Sequence, residues 1–238
     1  MAIDMRNLIL TILLFSSCFA FSQKIKVENL QRFDQKKVHF GFSLGINNGG
    51  FSLHRKPIGV QDSLANIEVI NQSGFNLGIV SEIHLNQYFG IRFLPTLVFG
   101  QRNLDFTFVD PTGDVEVVQR VVESTYLDFP ILMKYRSARL NNFAAYVIGG
   151  VKYSIDLASN EDVNNEDIPE SIIKLKQNTY SAEVGIGADF FLPYFKFAIE
   201  AKMSYTLDDA LIPDNTELST PIDRILPKMF FVTFLFEG

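Results

Sequence analysis

A histidine within reach of a hydroxyl or a carboxylate is the minimum equipment for nucleophilic or acid–base catalysis. The sequence offers two such pairs, Ser52 with His54 and Glu82 with His84. Neither lies in a recognisable motif, and a loop histidine and an interior hydrogen bond explain them more simply, so no catalytic residue is assigned. The remaining histidine, His39, adds no metal-ligand spacing, and the single Cys18 sits in the N-terminal segment, so neither a metal site nor a disulfide is expected. Glu161, Asp162, Glu166, Asp167 and Glu170 lack the ligand spacing and central glycine of a calcium loop and read as solvated loop. No cofactor is expected, and the net charge of −6 argues against nucleic acid as a partner.

The informative charges are those that alternate with apolar residues. In Tyr126–Arg136 the odd positions Leu127, Phe129, Ile131, Met133 and Tyr135 are apolar, while Asp128, Lys134 and Arg136 are charged. A period of two gives a strand with one greasy and one wet face. The same alternation puts Glu82, Arg92, Asp128, Lys134, Lys152, Glu183, Glu200 and Lys202 on one face of successive strands, together with Asp189 and Lys196. Inside a narrow barrel such charges must pair. The expected network is a structural plug, with Asp128 and Lys134 pairing across the lumen.

At the N-terminus, Arg6 precedes the apolar run Leu8–Phe15 and a small-residue pattern Ala20-Phe21-Ser22. Residues 1–22 read as a signal peptide; Ser17-Cys18 offers a rival lipoprotein cleavage site. Residues 23–37 are polar and basic, a mobile periplasmic lead-in, and residues 38–238 form the barrel domain. Strands are expected at Val38–Asn47, Gly74–Asn86, Phe89 through Val109, Val115–Arg136, Phe143–Ile155, Thr179–Phe191, Phe195–Leu207 and Met229–Glu237. In the third, the apolar parity changes after Gly100 to Leu104, Phe106 and Phe108; either a β-bulge occurs there or the strand has left the membrane. The third and fourth strands make an overlong hairpin, roughly 65 Å per arm at ~3.3 Å per residue. Segments Asn48–Ser73, Asp156–Asn178 and Asp208–Arg224 read as long loops.

Short links alternate with long ones. That arrangement, with eight strands, predicts an all-β fold: an eight-stranded antiparallel transmembrane β-barrel of the outer membrane, with a closed, side-chain-filled lumen and both termini periplasmic. A soluble lipocalin-like barrel would show the same periodicity with its faces reversed. The aromatic-rich apolar faces and the export signal favour lipid outside.

The phrases Tyr126-Leu-Asp-Phe-Pro-Ile-Leu-Met-Lys-Tyr135, Ala145-Tyr-Val-Ile-Gly-Gly-Val-Lys-Tyr153 and Val184-Gly-Ile-Gly-Ala-Asp-Phe-Phe191 resemble the outer-membrane β-barrel family common in Bacteroidetes. Leu85-Asn-Gln-Tyr-Phe-Gly-Ile-Arg92 and the long hairpin are most similar to the PorT (SprT) group. That resemblance implies a non-enzymatic component or assembly factor of the type IX secretion and gliding machinery, with other secretion proteins and outer-membrane lipids as partners. The hairpin tip, carrying Phe108, Asp110, Pro111, Gly113, Val115 and Val117, is the expected contact surface. A generic porin or ligand-binding barrel is the alternative; an enzyme acting on lipid A or peptides is a third reading. The last strand, with Phe234 and Phe236, is expected to engage the outer-membrane assembly machinery despite two further residues, Glu237 and Gly238.

Overall fold

The computed structural model describes residues 27–56, 64–109, 113–161, 172–214, 216 and 219–238. The expected signal peptide and the tip residues Asp110 and Pro111 lie outside them. Nine strands form: β1 (Val38–Arg55), β2 (Leu64–His84), β3 (Phe89–Phe93), β4 (Thr96–Val109), β5 (Val115–Arg136), β6 (Phe143–Asp156), β7 (Asn178–Phe191), β8 (Lys196–Thr206) and β9 (Ile222–Glu237). β3 and β4 both pair with β2 and β5, so they are one barrel strand interrupted at Leu94-Pro95. Proline has no N–H to give to the ladder; its carbonyl still accepts from the Ile79 amide at 2.9 Å. Each neighbour is antiparallel, and β9 closes on β1. The result is a closed eight-stranded barrel.

Alternation sets the two faces. On β7, Tyr180 and Val184 are 60% and 65% exposed, whereas Ser181, Glu183 and Asp189 are buried. Phe40, Ile79, Ile131, Val151 and Phe230 continue this exposed apolar band around the wall. The ten residue steps from Tyr180 to Phe190, at ~3.3 Å each and tilted ~45°, rise about 23 Å, the height of a lipid-facing band. Tyr153 and Tyr180 sit side by side at the long-loop rim, with ring centroids 5.2 Å apart, while Tyr88 and Tyr135 mark the short-turn rim. Tyrosine thus supplies the interfacial belts in a chain without tryptophan.

Beyond the band the barrel continues on one side only. β1 runs on to Arg55, β2 starts at Leu64 and β9 starts at Ile222, so much of the segment Asn48–Ser73 is strand and not loop, and the last strand starts seven residues before Met229. The parity change after Gly100 is not a bulge in that strand. β4 pairs with β5 without a register shift from Thr96↔Asp128 to Val109↔Val115, and its even positions Val98, Arg102, Leu104 and Phe106 all stay inside. What changes is the chemistry of the interior, from polar to apolar. The bulge lies opposite, in β2, where Asn71–Phe75 spans Arg102–Phe99 with one extra residue. Accordingly β2 turns from odd residues inside (Ile67) to even ones (Asn76, Val80, Glu82).

The lead-in is also fixed where it is described. Phe33, 4% exposed, stacks on His39 at 3.7 Å inside the short-turn end. Asp34 pairs with Arg136 at 2.9 Å, and Arg139 donates to the Asn29 carbonyl. A stacked aromatic ring and a partly buried ion pair outweigh the mobility expected from polar composition.

Candidate functional site

Two features stand apart from the lipid-facing wall: a charged lumen and an apolar turret above it. In the lumen, all ten charged residues singled out from alternation are buried, and they fall into two groups. Nearer the short turns, Arg92 donates through Nε and Nη2 to Glu82 Oε2 at 2.9 and 2.6 Å, and through Nη1 to Glu200 at 2.6 Å. Lys134 donates to Asp189 at 2.9 Å and lies 3.4 Å from Glu82. Lys196 pairs with Glu237 at 2.9 Å. Tyr146 completes the group by donating its hydroxyl to Glu200 at 2.8 Å.

Further up, Lys152 binds Asp128 at 2.9 Å and Glu183 at 3.4 Å, and Lys202 binds Glu183 at 3.0 Å. Asp128 and Lys134 therefore do not pair with each other. They stand six residues apart on one strand, about 20 Å, and each belongs to a different group.

Burying so many charges is tolerable only because each meets an opposite one. Gly187 shows how tightly the first group is built: a Cβ there would sit 2.2 Å from the Tyr146 ring, which lies across it to reach Glu200. A cavity of about 20 Å³, lined by Arg102, Asp128, Lys152, Ser181 and Thr206 among others, has room for roughly one water. The lumen is packed with side chains and is not an open channel.

His84 Nε2 lies 3.0 Å from Glu82 Oε1, but that carboxylate is also engaged by Arg92 and Lys134. His54 is exposed on the turret. Among the described residues no cluster of three metal-ligating side chains occurs.

Alternation missed three members of the interior. Glu237 keeps parity with Phe231, Thr233 and Leu235, so the signal was present, but a terminal extension was not weighed as lumen. Tyr146 is hidden among apolar neighbours. Arg102 is buried where lumen and turret meet, donating to Ser124 and to the Tyr126 hydroxyl at 3.1 and 3.0 Å between the rings of Phe51 and Tyr126.

The turret reverses the band's polarity. Phe51, Ile67, Leu104, Phe106, Ile222 and Ile225 from the risen strands pack with Ile173, Leu175, Ala210 and Leu211 from the two loops that fill its open side. Leu175 and Leu211 form a β-bridge that ties those loops together. Of the expected tip residues, Phe108 packs against this core, while Val115 and Val117 are 64% and 58% exposed. Gly113 has φ +88°, a left-handed value that suits glycine at a hairpin tip.

Several solved outer-membrane proteins are similar to this chain. OprG from Pseudomonas aeruginosa is 12% identical, with a TM-score of 0.44 over 84% of this chain and 94% of its own. AlkL, solved in DMPC bilayers, is 12% identical, with a TM-score of 0.47 over 92% and 95%. Ail of Yersinia pestis, solved with the heparin analogue sucrose octasulfate, is 13% identical, with a TM-score of 0.38 over 85% and 100%. No curated protein matches the sequence. The family profile described as outer membrane protein beta-barrel domain matches residues 21–211, well over half of the chain. With an apolar band outside and paired charges within, the chain belongs to the outer membrane protein beta-barrel domain family.

Proposed function

We propose that this protein is a non-enzymatic, PorT-like component or assembly factor of a type IX protein-secretion and gliding machinery. In this reading both termini are periplasmic and the turret faces the outside. The observation that carries it is the division of labour along the barrel axis. A lumen closed by ion pairs is a poor conduit. The one-sided turret, with its own apolar core, is a poor use of chain unless it presents a surface. The phrase Leu85–Arg92 and the long β4–β5 hairpin support the narrower assignment.

Removing Phe108–Val117 should block export of secreted substrates while the barrel remains heat-modifiable on gels; normal export by that variant would refute the role. Planar-bilayer recordings separate this reading from a passive porin, for which steady, large channels are expected. Recognition by the outer-membrane assembly machinery is assigned to β9, whose Phe234 and Phe236 stack on Phe197 and Phe42 across both its neighbours. Deleting Phe230–Gly238 should abolish insertion.

A further inference from the structure

β5 pairs on one side with β4 from Val115 to Asp128 and with β3 from Ile131 to Tyr135, but β6 joins its other side only from Tyr126. The last contacts on that side are made at Thr125: its carbonyl accepts from the Leu157 amide at 2.8 Å, and its own amide donates to Asp156 Oδ1 at 3.3 Å. Because N–H and C=O of one residue in an antiparallel strand point the same way, and alternate residues point oppositely, the odd residues 115, 117, 119, 121 and 123 aim their backbone groups at this same side. Among the described residues no strand meets them. The Gln119 carbonyl accepts instead from the guanidinium of its neighbour Arg120, at 3.3 Å.

Natural sheets protect such edges with proline, lysine, bulges or shortness. Val115–Ser124 carries three charges, Glu116, Arg120 and Glu123, but has no proline, lysine or bulge: five of its ten residues are valine, and its pairing with β4 is regular throughout. Val118 and Val122 are held from behind by the turret core, so the edge is rigid and preorganised.

We infer that the free edge of β5 from Val115 to Ser124 accepts an extended segment of another polypeptide chain by strand addition. Main-chain hydrogen bonds would supply affinity, and apolar side chains of the incoming strand would cover Val117 and Val121, which are 58% and 50% exposed. The β5 edge of a second copy of this chain cannot be the occupant. Two barrels in one membrane are related by rotation about the membrane normal, which leaves both β5 strands running the same vertical way. With each tilted ~45° in opposite directions, they cross too steeply to form a ladder. Lipid headgroups are equally unsuited, since the edge alternates donors and acceptors and Arg120 is its only cation.

The inference goes beyond the secretion reading: peptide binding would stand even if export survived removal of the tip. The test uses the full-length protein folded in detergent micelles and a fluorescent decapeptide of alternating threonine and valine. A second decapeptide, N-methylated at alternate residues along its pairing edge, serves as control. The amides of residues 115, 117, 119, 121 and 123 should exchange freely in the unbound protein and gain protection on binding the first peptide. The N-methylated peptide should bind at least tenfold more weakly. Val121→Pro removes an edge donor without touching the β4 ladder and should weaken binding as much, in a barrel that stays heat-modifiable. Absence of binding, equal binding of both peptides, undiminished binding by V121P, or odd amides already protected in the unbound protein would each overturn the inference.

Discussion

The membrane band and the turret are built from the same strands, yet they solve burial in opposite ways. Along β4, Leu97 and Phe99 face outward and Thr96 inward in the band; a few residues on, Leu104 and Phe106 face inward and Gln101 and Asp105 outward. The strand does not rotate. The surroundings change from lipid to water, and the apolar side changes with them. In the band the wall's apolar face is satisfied by lipid, which leaves the interior to polar groups that must pair. In the turret, water outside returns the hydrophobic effect to its ordinary direction, and the interior condenses into a core. The bulge in β2 at Asn71–Phe75 sits where the two regimes meet and flips that strand's parity. Arg102 lies at the same level, with hydroxyl groups below it and a phenyl ring beside it.

This contrast can be broken most severely from inside the band. Arg92→Leu would leave Glu82, Glu200 and Glu237 around a missing guanidinium, and losing one partner of a buried ion pair costs about 3–5 kcal/mol. Heat-modifiability and urea midpoints should both fall sharply, and combining R92L with Glu200→Gln should recover part of the loss. A similar sum is at stake for Phe106→Ala, about 3–5 kcal/mol, but there the damage should stay local: protease would cut the turret while the barrel remained intact. If R92L and F106A lowered the barrel's urea midpoint equally, the two regions would be one cooperative unit.

Position decides the next effect. Lysine in place of Ile186, in the middle of the band on β7, should destabilise by about 2–4 kcal/mol. Lysine in place of exposed Gln101 on the turret should change stability by less than about 0.5 kcal/mol. Equal tolerance of the two in a folding titration into vesicles would contradict the boundary drawn here. Smaller than the effect at Ile186 is that of Gly187→Ala, where the new methyl would push Tyr146 off Glu200. Overpacking of this kind costs about 1–3 kcal/mol, and replacing Tyr146 by Phe as well should restore most of it. A small effect, about 1 kcal/mol or below, is expected for Asp34→Asn, which frees the lead-in from Arg136. Faster amide exchange at Phe33 and Lys36, with an unchanged urea midpoint, would report it.

The alternation in Tyr126–Arg136 and its counterparts determined most of the membrane strands and divided each one's residues between two faces, because a two-residue period is a local property of the chain. It could not decide which charge meets which. Asp128 found Lys152 on the next strand and Lys134 found Asp189 two strands away, since register between strands is set by turns, bulges and closure, not by any one strand. Nor could it recognise the strands within Asn48–Ser73. Phe51 and Ile67 stand among polar residues, and their apolar partners Leu175 and Leu211 come from loops more than a hundred residues on. Sequence alone fixed each strand's two faces; only the closed barrel, by bringing distant segments to one height above the membrane, decided which of those faces water, lipid or protein would cover.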